Sequence, residues 1–256
     1  MKIILSILLL ILSACSISKF SYQLNIGVLI NEDLKTQIEY YNFLKTYDRD
    51  VNLIYLNNMR IDSAYYMLEM IDGLIIGDGP NIDSNFNTND IQKMPNSRTK
   101  HEFILLKRAI KLEIPILAYE RGFLLLNLVG GGEIYYDNKI FAKNSRVLHS
   151  LTNDESVHQI LIAQNSPLKD IVKKFDGFVN SYHSQAIKSL PKHFLANAIA
   201  EDKIIEAISF KDYENLPFLI GIQWNPRKLQ KENPLSYKIY KEFLRNAEDN
   251  RQLNIP

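Results

Sequence analysis

Short apolar runs alternate with helical patterns through the first half of the chain, and this alternation limits the fold more than any other feature. Asn25–Ile30, Val51–Leu56, Leu74–Ile76 and Ile114–Tyr119 each read as a strand, because each is a nearly unbroken apolar run rich in β-branched residues. Between them, Leu34–Tyr47, Ile61–Met70, Thr99–Leu112 and Phe123–Val129 carry helical periodicity. Thr99 followed by Glu102 fits a capping box. Strands apolar on both faces, each followed by a helix, predict a parallel sheet covered on both sides. Residues 81–97, rich in Asn, Asp and Ser, read as an exposed excursion.

After Gly130-Gly131-Gly132, which lacks a phosphate-cradle spacing and reads as a turn, shorter alternating runs follow. They are Glu133–Tyr136, Val157–Ile162, Gly177–Asn180, Phe194–Ala200, Ile204–Phe210 and Phe218–Gln223, and they predict an antiparallel extension. A last helix starts at Asn233-Pro234. The fold class expected is therefore a single flavodoxin-like α/β domain over residues 24–250, mostly parallel, with an antiparallel extension in the second half.

Composition narrows the function classes. Hydrophobic residues make 46 % of the chain and charged residues 23 %, with a net charge of +1. This excludes a disordered chain and gives no basic surface for nucleic acid. The single cysteine, Cys15, excludes an internal disulfide. It follows Met1-Lys2, an apolar run from Ile3 to Leu12, and Ser13-Ala14. That order describes an export signal over residues 1–14, too short to span a bilayer, and a tether over 15–23. Leu12-Ser13-Ala14-Cys15 resembles a bacterial lipobox, which implies lipid on Cys15 and attachment to a membrane on its periplasmic or surface side.

The junction Ile114-Pro-Ile-Leu-Ala-Tyr-Glu120-Arg121-Gly122 is a strand turning tightly into a helix. Such a turn lifts one side chain over the carboxyl ends of the strands and sets it at a helix amino terminus, where an anion is favoured. From here the chain resembles the class I glutamine amidotransferase-like superfamily, nearest its gamma-glutamyl-gamma-aminobutyrate hydrolase branch. The resemblance spans residues 25–230. It rests on Asp72–Ile76, Arg98–Glu102, Ile114–Ile116, Arg121-Gly122, Leu126-Asn127, Gly131-Gly132, Asp137, Val179–Ala186, Ile204–Ala207 and Gly221–Pro226.

The resemblance implies a cysteine, histidine and glutamate triad. Here those positions hold Glu120, Asn225 and Arg227. Glu120 cannot form a thioester, and the Asn225 amide cannot act as a base near neutral pH. Pro80, in the loop Gly77-Asp78-Gly79-Pro80, has no N–H to donate to an oxyanion. Glu120 and Arg227 are expected to form an ion pair across the old site.

Three readings follow: an inactive protein binding a gamma-glutamyl or amino-acid ligand, an active hydrolase with altered residues, or a structural, partner-binding lipoprotein. Glu120 is accordingly a catalytic carboxylate, a ligand contact or a structural replacement. Gly79, Glu120, Arg121 and His183 are the ligand-binding candidates; Arg121 suits either a ligand carboxylate or a neighbouring acid, and His183 also reads as a structural hydrogen-bonding residue. No cofactor is called for. His101, His149, His158 and His193 show no metal-ligand spacing, so no metal site is expected. Oligomeric state is left open.

Overall fold

A computed structural model describes residues 23–30, 33–45, 51–91, 94, 97–137, 147, 149, 157–229 and 233–253. The predicted export signal and Cys15 lie outside the described residues. Within them, nine strands share one sheet: β1 (Leu24–Leu29), β2 (Val51–Tyr55), β3 (Gly73–Ile76), β4 (Ile116–Tyr119), β6 (Val157–Ile162), β7 (Asp176–Asn180), β9 (Phe194–Ala200), β10 (Ile205–Phe210) and β11 (Leu219–Ile222). Their spatial order is β2-β1-β3-β4-β11-β10-β9-β6-β7. The first five strands of that order are parallel. From β11 onward every pairing is antiparallel. The mixed sheet, parallel in its first half and extended by antiparallel strands, is the one the apolar patterning predicted.

Helices cover both faces. On one side α1 (Leu34–Lys45), α5 (Pro167–Val172) and α6 (Pro234–Leu253) bury Tyr40, Leu168, Val172, Ile239 and Phe243 against the sheet. On the other, α2 (Ile61–Met67), α3 (Arg98–Lys111) and α4 (Arg121–Val129) bury Ala64, Leu106, Phe123 and Leu125. Strands β3 and β4 are buried throughout, which is why they read as continuous apolar runs rather than as alternation. β6, with only alternate residues inward, keeps the period-two pattern.

Several local expectations are corrected. The cap of α3 is Ser97, whose hydroxyl accepts from the Lys100 N–H at 3.3 Å; Glu102 is instead drawn inward and fully buried. The segment 81–97 is not wholly exposed, since Ile82 and Phe86 anchor it in the core. Two elements have no counterpart in the sequence reading. One is α5, which Ser166 caps with Pro167 in its first turn. The other is β8 (Ala186–Ser189), which pairs with β5 (Glu133–Tyr135) in a separate two-stranded sheet.

Candidate active site

Parallel strands place their carboxyl ends together, and three such ends meet here: the loop after β3 (residues 77–80), the β4–α4 turn at Glu120 and the segment after β11 (residues 223–228). Glu120 takes φ 48 and ψ −116, a conformation that costs a non-glycine residue roughly 1–3 kcal/mol. Backbone bonds hold it there. The Glu120 N–H donates to the Ile222 carbonyl at 3.0 Å, and the Gly122 N–H donates to the Gly77 carbonyl at 3.1 Å. Gly122 is required, because a Cβ at this position would collide with the Ile76 carbonyl oxygen.

The Glu120 carboxyl is pushed up from its ordinary 4.5 to about 7. Burial is the main cause, and the Asp78 charge adds to it; Asn225, Lys228 and Arg227 pull the other way. Glu120 makes no side-chain cap bond to α4, and desolvation opposes the helix-terminus preference for an anion.

Asn225 is clasped by its backbone. Its N–H donates to Asn180 Oδ1 and its carbonyl accepts from Asn180 Nδ2, each at 2.9 Å. Its side-chain oxygen accepts from the Arg227 N–H at 2.9 Å, and its buried Nδ2 group is left to the Glu120 carboxyl, whose ionised form it favours. The expected Glu120–Arg227 ion pair is replaced by another arrangement. Arg227 pairs with Asp78, and with Glu39 at 3.2 Å, while its guanidinium lies 4.5 Å from the Tyr40 ring centre. Asp78, from the adjacent loop, captures the cation before it can reach Glu120.

Arg121 points beneath the turn. It pairs with buried Glu102 and donates to Thr99 Oγ1 at 2.8 Å. Glu102 also takes Arg98 Nε at 2.7 Å and Asn57 Nδ2 at 3.2 Å. Of the two roles read for Arg121, the geometry therefore gives pairing with a neighbouring acid. Gly79 meets Arg98, whose Nη1 lies 2.6 Å from where a Cβ would stand. Arg98 Nη2 donates to the Asp78 carbonyl at 2.8 Å, so this loop is braced from α3.

His183 is placed elsewhere, buried with His149, His158 and Glu206. The sequence reading found no metal spacing among the histidines, yet the fold gathers three of them around one carboxylate. Burial lowers the His183 pKa to about 4, lowers that of His158 as well, and raises that of Glu206 to about 7. A cavity of roughly 670 Å³ lies between residues 84–89 and β5, and neither Glu120 nor Asn225 lines it.

Residues 31–227 match the family described as Peptidase C26. The chain belongs to the Peptidase C26 family. It is 29 % identical over 184 residues to a putative glutamine amidotransferase of Schizosaccharomyces pombe, covering 69 % of this chain and 70 % of that protein. It is 25 % identical over 148 residues to the gamma-glutamyl-gamma-aminobutyrate hydrolase PuuD of Escherichia coli, covering 55 % and 56 %. Among solved structures, a putative GMP synthase component of Thermoplasma acidophilum superposes with a TM-score of 0.63 at 14 % identity, over 91 % of this chain and 98 % of that one. The glutaminase domain of Trypanosoma brucei CTPS superposes with a TM-score of 0.61 at 12 % identity, over 89 % and 94 %. The flavodoxin-like amidotransferase fold is therefore that of this chain, and its family is glutamine amidotransferase-like and gamma-glutamyl hydrolase-like.

Proposed function

We propose that this chain is a Peptidase C26 protein without thiol-dependent hydrolysis, and that its site binds a gamma-glutamyl or similar amino-acid ligand. The observation that carries this reading is Glu120, held at the strand-to-helix bend with no sulfur in its place and with the buried amide of Asn225 acting on it from the neighbouring segment. Attack on an amide needs a thiolate and a base beside it. A carboxyl and an amide supply no thiolate, but they offer a ligand one titratable acid and one N–H donor.

The altered-hydrolase reading draws on one specific feature: a carboxyl with a pKa of about 7 is matched to proton transfer at neutral pH. One experiment separates the two. Purified protein is offered a panel of gamma-glutamyl amides, and both release of the amine and saturable binding of glutamate are followed. Binding without turnover, weakened in Glu120→Ala, is the expected result. Turnover abolished by Glu120→Ala refutes it in favour of an enzyme, and neither binding nor turnover leaves a structural lipoprotein.

The proposal includes export and lipid attachment through Cys15, supported by the basic start, the apolar run and Leu12-Ser13-Ala14-Cys15. Among the described residues no helix is long and apolar enough to cross a membrane. Cys15→Ser is expected to abolish fatty-acid labelling and release the protein from the membrane fraction; unchanged attachment counts against the lipobox.

A further inference from the structure

Where the sheet turns antiparallel, four side chains from four chain segments meet. His149 precedes β6, His158 lies on β6, His183 follows β7 and Glu206 lies on β10. All four are buried, and one donor atom from each lies within 4.8 Å of the others. Glu206 Oε1 stands 3.6 Å from His149 Nδ1, from His158 Nε2 and from His183 Nε2. His149 Nδ1 is 3.2 Å from His183 Nε2. A tetrahedral ion with bonds of about 2.0–2.1 Å spaces its donors about 3.3–3.4 Å apart. Those four separations lie within a few tenths of an ångström of that spacing, and the remaining pairs, which reach up to 4.8 Å, have to close further to enclose an ion.

The orientation of the rings is independent support. Each imidazole has its other nitrogen tied outward: His149 Nε2 to Asp202 Oδ2 at 2.8 Å, His158 Nδ1 to the Gln159 carbonyl at 3.2 Å and His183 Nδ1 to the Gln185 carbonyl at 2.9 Å. With the ring N–H on these outward nitrogens, the inward nitrogens present lone pairs; Ser181 Oγ also lies 3.3 Å from His149 Nδ1 and has to yield it to an ion. At the centre, Glu206 is 0 % exposed and neither of its carboxylate oxygens has a hydrogen-bond partner; His158 Nε2 has none either. A buried carboxylate left in that state is costly unless something positive completes it. The β9–β10 register also shifts between Ile205 and Ala207, the kind of irregularity that re-aims a side chain.

We propose that His149, His158, His183 and Glu206 form a closed, four-ligand site for a divalent transition-metal ion, with zinc the best match to three imidazoles and one carboxylate. Magnesium and calcium, which prefer all-oxygen shells, do not suit it. With no position left for water or substrate among four protein ligands, the ion is structural. It fastens the segment before β6 to β10 and fixes Ser181, which donates to the His149 carbonyl at 3.1 Å. Ser181 adjoins Asn180, the residue that clasps Asn225, so the ion stiffens one wall of the candidate active site.

The test uses the full chain, freed of metal with a chelator and then dialysed against zinc or cobalt. The expected results are about one zinc per chain, the visible absorption of tetrahedral cobalt, and no displacement by magnesium or calcium. Glu206→Gln, nearly the same shape, and His158→Gln are expected to lose uptake; His193→Gln is expected to retain it. Asp202→Asn is expected to weaken zinc about 10–100-fold, as loss of a ring-orienting carboxylate does. Circular dichroism identifies which variants are folded. Folded wild-type protein that takes up neither zinc, cobalt, manganese nor iron(II) overturns the proposal. So does uptake undiminished in whichever of the two ligand variants remains folded. Neither result touches the ligand proposed at Glu120, which is scored by glutamate binding.

Discussion

Replacing Glu120 by Gln should remove a pH-dependent weakness from the protein. The carboxyl has a folded-state pKa of about 7 against an ordinary 4.5. Between these values the folded state holds the proton more tightly than the unfolded chain does. Stability from this group is thus complete below about pH 4.5, falls as pH rises, and is lost above about pH 7. At about 1.36 kcal/mol per pH unit the full difference is roughly 3 kcal/mol, and partial solvent access to Glu120 reduces it to about 1–3 kcal/mol. Glu206 is raised into the same range, so the wild-type slope alone does not assign the effect. The subtraction does: urea unfolding of wild type and Glu120→Gln is compared at pH 5, 6, 7 and 8. The variant is expected to gain on the wild type progressively, by about 1–3 kcal/mol at pH 8 relative to pH 5. Parallel curves would show that Glu120 is freely hydrated, and the account of its burial would be wrong.

Glu102→Ala should cost about 3–5 kcal/mol in urea unfolding, because it strands the buried Arg121 guanidinium and removes the acceptor of Arg98 Nε; a loss below 1 kcal/mol would mean the cluster is solvated. Gly122→Ala should destabilise by at least about 1–3 kcal/mol, since the new methyl meets the Ile76 carbonyl; an unchanged melting temperature would refute the close approach. Arg227→Glu should likewise lower the melting temperature, by placing a third carboxylate beside Asp78 and Glu39. For the same reason the triple change Glu120→Cys, Asn225→His, Arg227→Glu is expected to release no amine from gamma-glutamyl amides, and rapid turnover would show that Asp78 poses no obstacle.

The parallel half of the fold was readable because burial on both faces leaves no polar residue in Leu74–Ile76 or Ile116–Tyr119. The bend at Glu120 was readable because an apolar strand runs directly into Arg121-Gly122. Helix α5 was missed although Asn165-Ser166-Pro167 carries a capping residue and a first-turn proline. β8 was not legible, since its partner β5 is distant in sequence and each strand is short. Arg227 was assigned the wrong partner because sequence does not reveal that Asp78 and Glu39 stand nearer. The histidine cluster escaped for a related reason: its members lie in four separate segments, and only the packing of β6, β7 and β10 joins them.

The bend at residue 120 is closed by main-chain bonds from its own N–H and from that of Gly122, so its aim does not depend on which side chain stands there. A substitution at this one position exchanges the reactive group while the scaffold keeps presenting it at the same point. A change of side chain at residue 120 is thereby separated from the course of the backbone, though not from the desolvation of whichever group is placed there.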